Sequence, residues 1–487
     1  MNKEENIKIK ITDEMLATPG VHIIDAPTGA GKSRAIRKLN VPTLVVSPRR
    51  MLVDQQTEET FKDNKNITVR TVQSLAYMPH PEEYLERFSV VVSDEAHDLI
   101  IASDYDDKCI EIVKRILHAP VLICLTATDV GLEKLFRYLG RSAITYKYAD
   151  DIHAKLQGGT FGYVPNMETA IDVIRRKINK GEKVMFFSDK ISRIKEVQMA
   201  FFYDKKILPV VSKSNAAYKK LCEDRKEEID KMIKSQKFPE GVSVVCATKA
   251  MDVGLNIREN CVVICAIACQ ATLRQCMGRT RLNSEKGETL DFYCLPPTGQ
   301  SLEQRRKKIE AALGKYETYV NQHDIYLKEH EGVKLDKKGI VYYTYRNQKE
   351  VSEIDYCKLV YYEYLMETIY KNPSQLAWKK SLEQMLGCQG IPMKSMKQKH
   401  DEQWQYEQTM ELKRHMNGKV MGANEKEILK HIYHNDIGGP KAFNRIWAER
   451  GWDELHIEGD KSEKATYSVD KNGKKTRHRK RNGWMFN

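Results

Sequence analysis

Apolar, β-branched runs alternate with helical stretches between Val21 and Ala127. The runs are VHIID, TLVVS, ITVRT, SVVVSDE and VLICLTA. Short runs of this kind, separated by polar helical segments, are typical of buried strands in a parallel sheet that is covered by helices. The pattern therefore predicts an α/β domain, which we place at residues 1–150.

A second alternating block begins with a helical pattern at Glu168. Its strand-like runs are KVMFFSD, ILPVVS, VSVVCAT and CVVICAIA, with Lys- and Glu-rich helical segments between them. Three glycines and a proline interrupt the periodicity between the two blocks, around residues 147–167, as linkers commonly do. The sequence thus predicts a second α/β domain at residues 151–298.

The rest of the chain changes character after the run LPPTG, which ends at Gly299. Lys, Glu, Gln and Tyr dominate with helical periodicity, which predicts a helical accessory region at residues 299–424. Its Tyr-rich stretch, Val341 to Tyr370, has two interpretations: aromatic faces for base stacking, or the more common amphipathic core. The predicted fold class is α/β, with two tandem parallel-sheet lobes followed by a mainly helical C-terminal region.

The last segment, residues 425–487, combines two helical patterns (EKEILKHIYH and PKAFNRIWAERGW) with two strand-like runs (ELHIEG and ATYSVD). A basic cluster follows, which consists of Lys471, Lys474, Lys475, Arg477, Arg479, Lys480 and Arg481. Helices followed by a hairpin and basic residues favour a small winged-helix-like nucleic-acid-binding module. The alternative is a disordered tail that binds phosphates without specificity.

Composition adds a partner class and a compartment. The formal net charge of +13 raises the local concentration of phosphate polyanions around the protein. The eleven cysteines include no CxxC pair, so we expect reduced thiols without a metal cluster. No apolar run approaches the ~18 residues of a membrane span, and the N-terminus lacks a signal-peptide pattern. We therefore expect a cytoplasmic protein without a membrane partner.

A phosphate-binding loop is indicated by APTGAGKS, residues 26–33, which lies between the run VHIID and a helical pattern. Its glycines let backbone N–H groups curl around phosphates, Lys32 reaches the β- and γ-phosphates, and the Ser33 hydroxyl binds Mg²⁺. The predicted cofactors are therefore ATP and Mg²⁺. The predicted nucleotide-binding residues in this loop are Thr28, Gly29, Ala30, Gly31, Lys32 and Ser33.

Two adjacent acids form the second chemical motif. The run SVVVS ends in Asp94-Glu95-Ala96-His97, at the strand edge where parallel sheets place their ligands. Asp94 is suited to hold Mg²⁺, and Glu95 to orient or deprotonate an attacking water. These acids could instead cap the following helix, but capping does not explain why they follow a P-loop by about 60 residues.

The P-loop and the DEAH sequence resemble those of superfamily 2 helicases, and the likeness extends over residues 20–295. That resemblance implies two RecA-like lobes. It implies nucleic-acid contacts at Pro48, Arg49, Thr71, Gln73, Ser188 and Thr248, and coupling of hydrolysis to movement at Thr126 and Thr128. Further nucleotide contacts are implied at Gly254 and Asn256, and catalytic roles at Gln275, Arg279 and Arg281.

The two arginines would act as arginine fingers, because a guanidinium can stabilise the charge that spreads over the γ-phosphoryl oxygens. The sequence departs from the family pattern at Asn256, where aspartate is commoner, and has one residue fewer between Arg279 and Arg281. Which of these two arginines contacts the γ-phosphate is left open.

The resemblance implies a nucleic-acid-dependent ATPase that moves along or unwinds DNA or RNA, with DNA favoured. In its compactness the chain resembles motors encoded by phages, plasmids and large DNA viruses, including replication helicases. That resemblance implies protein partners, which would bind through the C-terminal region. An alternative is an ATP-switched replication initiator or remodelling clamp that does not unwind. A third, a small-molecule P-loop kinase, leaves the second lobe and its arginines unexplained.

Overall fold

The computed structural model resolves the chain into two compact units. One unit comprises Met1–Ile194 and Lys205–Met393, and the other comprises Lys195–Asp204 and Lys394–Asn487. The structure describes residues 9–27, 30–48, 53, 56–57, 61–148, 156–201, 206–211, 218–248, 257–280, 288–329, 339–346, 349–393, 398–416, 419, 421, 423–433, 439–449, 451–459, 466–469, 475–478 and 484–486.

The first unit begins with a six-stranded parallel sheet, which with its helices we call lobe 1. Its strands are β1 (Gly20–Asp25), β2 (Thr43–Ser47), β3 (Ile67–Thr71), β4 (Val90–Ser93), β5 (Val121–Thr126) and β6 (Ala143–Lys147). They are ordered β3-β2-β4-β5-β1-β6, and every pairing is parallel. The first five strands coincide with the five predicted runs, whereas β6 was not predicted.

Lobe 2 is built on a second parallel sheet. Its strands are β7 (Phe161–Tyr163), β8 (Lys183–Ser188), β9 (Ile207–Val210), β10 (Val244–Thr248), β11 (Cys261–Ala266) and β12 (Phe292–Cys294). Their order is β7-β12-β11-β8-β10-β9, and the two-residue strand Ile391–Pro392 from the accessory region extends the sheet beyond β7. Two tandem parallel sheets of this kind are the RecA-like lobes that the resemblance implied.

Helices cover both sheets. In lobe 1 they are α1 (Asp13–Ala17), α2 (Lys32–Arg37), α3 (Val72–Ala76), α4 (Pro81–Leu85), α5 (His97–Ala102), α6 (Cys109–Ile116) and α7 (Leu132–Tyr138). In lobe 2 they are α8 (Met167–Asn179), α9 (Ile191–Ala200), α10 (Tyr218–Leu221), α11 (Lys226–Ser235) and α12 (Gln270–Met277), with a 3-10 turn at Glu223–Arg225.

The strand interiors form the core of each lobe. All five residues of β2 and all six of β5 and β11 are buried, as expected for strands that are covered on both faces. Nine of the eleven cysteines are buried, and all are free thiols. Burial raises the pKa of the Cys124 and Cys246 thiols, so they remain protonated and behave as small apolar side chains.

Within the described residues, the accessory region after lobe 2 combines helices with one hairpin and the short strand Ile391–Pro392. Its helices are α13 (Gly299–Asn321), α14 (His323–Glu329), α15 (Tyr356–Thr368) and α16 (Gln375–Leu386). The strands β13 (Val341–Arg346) and β14 (Lys349–Ile354) form an antiparallel hairpin. The Tyr-rich stretch is thus half hairpin and half helix, and its Tyr361 and Tyr370 are buried, which favours the core interpretation for these two side chains.

Parts of the accessory region pack against each lobe. On lobe 1, Tyr138 donates to Glu363 of α15 at 2.9 Å, and Lys114 pairs with Glu353 of β14 at 2.6 Å. On lobe 2, the indole of Trp378 in α16 donates to the Ala268 carbonyl at 2.9 Å. The short connection between α15 and α16 therefore joins a part anchored on lobe 1 to a part anchored on lobe 2.

From Lys394 onward, the described part of the second unit contains three helices and short antiparallel strands. The helices are α17 (Gln398–Met416), α18 (Ala423–Ile432) and α19 (Pro440–Glu449). With Ile391–Pro392 counted as β15, the strands are β16 (Ile457–Gly459), β17 (Thr466–Val469), β18 (Lys475–His478) and β19 (Trp484–Phe486). β16 pairs with β19, β17 pairs with β18, and Met421 makes an antiparallel bridge to Trp484. This unit begins before residue 425 because α17 contributes Leu412 and Met416 to its core.

Candidate nucleotide site at the lobe interface

The motif residues of lobe 1 gather at one edge of its sheet. The P-loop follows β1, Pro48 follows β2, Asp94 follows β4, and Thr126 ends β5. Because β2, β4, β5 and β1 are neighbours and all parallel, their carboxyl ends share one edge. Ligands bind at this edge in open α/β sheets.

The described part of the P-loop holds its lysine inside the loop. Gly31 adopts a φ of 90° just before α2, a backbone conformation that glycine accepts without strain. The Lys32 side chain is buried, and its ammonium donates to the Ala26 carbonyl at 2.9 Å. Lys32 thus points back along the loop, where a phosphate would compete for its protons. Thr28 and Gly29 lie outside the described residues.

Asp94 is buried, and each of its carboxylate oxygens receives a hydrogen bond. Gln56 donates to Oδ2 at 2.7 Å, and the backbone N–H of Glu95 donates to Oδ1 at 3.1 Å. Burial, and next the charge of Glu95, raise the pKa of Asp94 to about 6. A bound cation would offset both effects, because it supplies the opposite charge at the carboxylate.

Glu95 has an unusual backbone conformation. Its φ is 51°, in the left-handed region that costs a residue with a side chain roughly 1–2 kcal/mol. The Glu95 carboxylate lies 3.7 Å from Nδ1 of His97. Strained backbone of this kind persists only where the surrounding structure holds it, and it is concentrated at functional sites.

A chain of hydrogen bonds joins the DEAH sequence to lobe 2. The Thr126 hydroxyl donates to the Thr128 carbonyl at 2.8 Å, so at its 2.9 Å contact with Nδ1 of His97 it must accept. His97 therefore carries its proton on Nδ1, and its Nε2 accepts from the Gln275 amide of lobe 2. Burial lowers the pKa of His97, which keeps the ring neutral, as this series of hydrogen bonds requires.

Arg279 is the described arginine of the pair predicted as fingers. It follows α12 and is 4% exposed, and its charge lies near enough to contribute to the lowered pKa of His97. Its Nε finds no hydrogen-bond partner within the described parts of the chain. A buried guanidinium N–H without a partner costs free energy, and a phosphate oxygen would satisfy it. Arg281 lies outside the described residues.

The residues present fit a nucleoside triphosphate with Mg²⁺. Lys32, Asp94 and Glu95 belong to lobe 1, Gln275 and Arg279 belong to lobe 2, and the Gln275 contact to His97 shows that the two sets meet. A buried acid with a raised pKa is suited to a cation, and a buried guanidinium N–H without a partner is suited to an anion. Ser33, the other predicted Mg²⁺ ligand, is half-buried beside Lys32.

The predicted nucleic-acid contacts occupy more varied positions. The Thr71 hydroxyl caps α3 by accepting from the Ser74 N–H at 3.1 Å, and Gln73 lies on α3, half-buried. Ser188 is fully buried, and its hydroxyl accepts from the Lys190 N–H at 3.0 Å. This hydroxyl therefore stabilises the turn after β8. Thr248, at the end of β10, is half-buried.

Pro48 is buried at the end of β2. The remaining predicted positions, Arg49, Gly254 and Asn256, fall outside the described residues.

Two side chains at this site were not singled out from the sequence. Gln56 donates directly to Asp94, the acid predicted to bind Mg²⁺, yet no motif marks it, since it lies after the segment recognised from Pro48 and Arg49. His97 was recognised only as the last letter of DEAH. Its position between Thr126 and Gln275 could not be predicted from the sequence, because Thr126 is 29 residues and Gln275 is 178 residues away along the chain.

No described helix combines the length and low charge needed to cross a bilayer.

Comparison with known proteins gives structural likenesses only. No protein-family model matches the chain, and no curated protein does. Solved structures that resemble it include S. cerevisiae Dbp5 bound to RNA and ADP BeF3, at 16% identity over 58% of this chain and 81% of that chain, with a TM-score of 0.42.

Two further likenesses are of the same order. The DEAD-box helicase Mss116 bound to ssRNA and UDP-BeF aligns at 14% identity over 60% of this chain and 69% of that chain, with a TM-score of 0.42. The Escherichia coli DEAH/RHA helicase HrpB aligns at 15% identity over 58% of this chain and 42% of that chain, with a TM-score of 0.39. These proteins are superfamily 2 helicases, the family that the motif series resembles, and at this similarity they bear on neither substrate nor reaction.

Proposed function

We propose that this protein is a nucleic-acid-dependent ATPase of the helicase or translocase kind, which hydrolyses ATP between lobe 1 and lobe 2. The observation that carries the proposal is the contact of Gln275 with His97. It brings the motif that contains Gln275 and Arg279 to the segment that carries the acids after β4. The P-loop lysine and the two acids supply one half of an ATPase site, and lobe 2 supplies the other.

Each residue has a role that follows from its position. Lys32 exchanges its bond to the Ala26 carbonyl for a phosphate oxygen. Asp94 and Ser33 would hold Mg²⁺, which neutralises phosphate charge when bound. Glu95 accepts a proton from the attacking water, and Arg279 stabilises the charge that develops on the transferred phosphoryl group.

Coupling to nucleic acid follows from the chain His97, Thr126 and Thr128. These hydrogen bonds connect Thr126 and Thr128 of lobe 1, through His97, to Gln275 of lobe 2. Because Nδ1 of His97 lies 3.7 Å from the Glu95 carboxylate, a change in the spacing of the lobes would act beside the acids. We propose that nucleic acid binds across the lobes near Pro48, Arg49, Thr71, Gln73 and Thr248. Its binding favours the arrangement of the lobes in which all of these hydrogen bonds are formed. ATP hydrolysis would then depend on the polymer.

DNA is the polymer that the second unit favours. Three helices, a bridge from Met421 to Trp484 and the pairing of β16 with β19 are an order of elements typical of a winged helix, with β17 and β18 as the wing. Residues 460–483, which contain this hairpin, carry nine Lys or Arg against three Asp or Glu. A basic wing of this kind supports binding to the DNA backbone.

The test is ATP hydrolysis by the full chain alone and with single-stranded DNA, duplex DNA or RNA. We expect DNA to stimulate turnover at least tenfold, and Lys32→Ala and Glu95→Gln to abolish the stimulated rate. Arg137→Gln, on the exposed surface of α7, is the matched control and should behave as the unmodified protein. Turnover that is indifferent to every polymer would contradict the proposal.

A second candidate function is an ATP-switched DNA clamp or replication initiator, which the basic winged-helix arrangement also favours. The two functions differ in strand separation. A helicase displaces the shorter strand of a partial duplex at the expense of ATP, whereas a switch hydrolyses ATP and leaves the duplex intact.

A further inference from the structure

Gln56 connects two parts of lobe 1 that the motif series treats separately. Its side chain is 2% exposed and lies between the end of β2 and the acid that follows β4. Ser47, the last residue of β2, donates from its hydroxyl to Oε1 of Gln56 at 2.6 Å. On its other side Gln56 donates from Nε2 to Oδ2 of Asp94 at 2.7 Å.

The Ser47 hydroxyl fixes which way the Gln56 amide faces. Because Ser47 donates to Oε1, the NH₂ group must face Asp94, which as a carboxylate can only accept. The backbone also ties these residues together, since the Asp94 N–H donates to the Val46 carbonyl at 2.9 Å. The amide of Gln56 is therefore set in one orientation by the strand beside it.

The second oxygen of Asp94 is held as well. Oδ1 accepts from the Glu95 N–H at 3.1 Å, so each carboxylate oxygen has one donor and the plane of the group is fixed. Metal-binding carboxylates are commonly hydrogen-bonded by a second layer of residues, and loss of such a partner typically costs about 10–100-fold in metal affinity or activity. The arrangement around Asp94 has this form.

We propose that Gln56 is a positioning residue that holds the Asp94 carboxylate in the orientation that binds the Mg²⁺ of the nucleotide. The proposal rests on the proposed function, since it presupposes that ATP and Mg²⁺ bind at this edge. Gln56 does not touch the substrate. It acts through Asp94, and it lies eight residues after Pro48, one of the positions at which the helicase resemblance implies a nucleic-acid contact.

The test measures binding rather than turnover. The affinity of the full chain for a fluorescent, non-hydrolysable ATP analogue is titrated with Mg²⁺ and with EDTA, and the ratio of the two affinities gives the Mg²⁺-dependent gain. We expect Gln56→Ala to lower this gain at least tenfold while the affinity in EDTA changes by less than about threefold. Ser47→Ala, which leaves Gln56 in place but frees its amide, should lower the gain by a smaller factor.

Two further variants keep the test decisive. Gln56→Met preserves side-chain length without a donor, so it reports on the hydrogen bond where Gln56→Ala fails to fold. Thr57→Ala changes an exposed neighbour and should leave both affinities unaltered.

An unchanged Mg²⁺ gain in Gln56→Met overturns the proposal, and so does an equal loss of affinity with Mg²⁺ and with EDTA, which would mark a purely structural role. If the unmodified protein binds no nucleotide at all, the proposed function fails first. That result is distinct from a variant that retains the gain.

Discussion

Single residues at the lobe interface are held in one protonation state by their partners. His97 is fully buried and accepts from Gln275 through Nε2 while it donates to Thr126 through Nδ1. A second ring proton would place two donors against each other at Gln275. Burial also lowers the pKa of His97, so both the hydrogen bonds and the desolvation favour the neutral ring.

This lowered pKa predicts a pH dependence of stability. The unfolded chain takes up a proton on His97 as the pH falls below about 6.5, whereas the folded protein does so only at lower pH. The stability that the neutral ring contributes is therefore present above about pH 6.5 and is lost as the pH falls toward the folded pKa. We expect the melting temperature of the unmodified protein to drop more steeply between pH 7.5 and 5.5 than that of His97→Gln.

Melting curves at several pH values check this prediction. His118→Gln, a change at an exposed histidine of lobe 1, is the matched control and should keep the pH profile of the unmodified protein. Parallel profiles for the unmodified protein and His97→Gln would show that the ring titrates alike in the folded and unfolded chain.

Among the elements, the longer apolar strands were predictable from the sequence, whereas β6, β7 and β12 were not. β4 and β5 are apolar along their whole length and buried on both faces, so composition alone marks them. β6 has a half-exposed pattern, and β7 and β12 have three residues each. A three-residue strand offers too few positions for a strand period to show, and β6 lacks the continuous apolar run that marks a buried strand.

The accessory region shows the same limit. β13 and β14 were included in a helical prediction because tyrosines and charged residues fit either period. The hairpin is stabilised by tertiary contacts, such as the ion pair between Glu353 and Lys114 of lobe 1, which lie 239 residues apart. At the nucleotide site, likewise, the acids and the P-loop could be recognised from local sequence, but Gln56 and the Gln275 contact could not.

The start of α15 gives a prediction at the scale of an element. Asp355 caps this helix by accepting from the Lys358 N–H at 3.0 Å, and burial raises the pKa of Asp355 to about 6. Removal of a cap typically costs about 0.5–2 kcal/mol. We expect Asp355→Ala to lower the free energy of unfolding by about 1–2 kcal/mol, and Asp355→Asn to lower it less, since asparagine also caps helices.

Denaturant unfolding at pH 7.5 measures the difference between these two variants. Equal losses for alanine and asparagine would mean that the charge of Asp355, rather than its cap, stabilises the helix.

Over the whole molecule, the proposed ATPase requires that lobe 2 complete a site built on lobe 1. Lys32 comes from the P-loop of lobe 1, and Asp94 and Glu95 come from the segment that follows β4, whereas Arg279 follows α12 in lobe 2. The sequence predicted this division from the order of its motifs. It could not show that Gln275 contacts His97, because that contact depends on how the two lobes pack against each other. Between them, α15 and α16 contact both lobes.

The most direct measurement of this claim is the hydrolysis of ATP by Arg279→Gln with saturating DNA, alongside the binding of a non-hydrolysable ATP analogue. An arginine supplied across a cleft is worth about 10³–10⁵ in rate. We therefore predict that the DNA-stimulated rate falls at least a thousandfold while the affinity for the analogue changes by less than about tenfold. A variant that keeps its DNA-stimulated rate would contradict the account, because ATP would then be hydrolysed without the arginine of lobe 2.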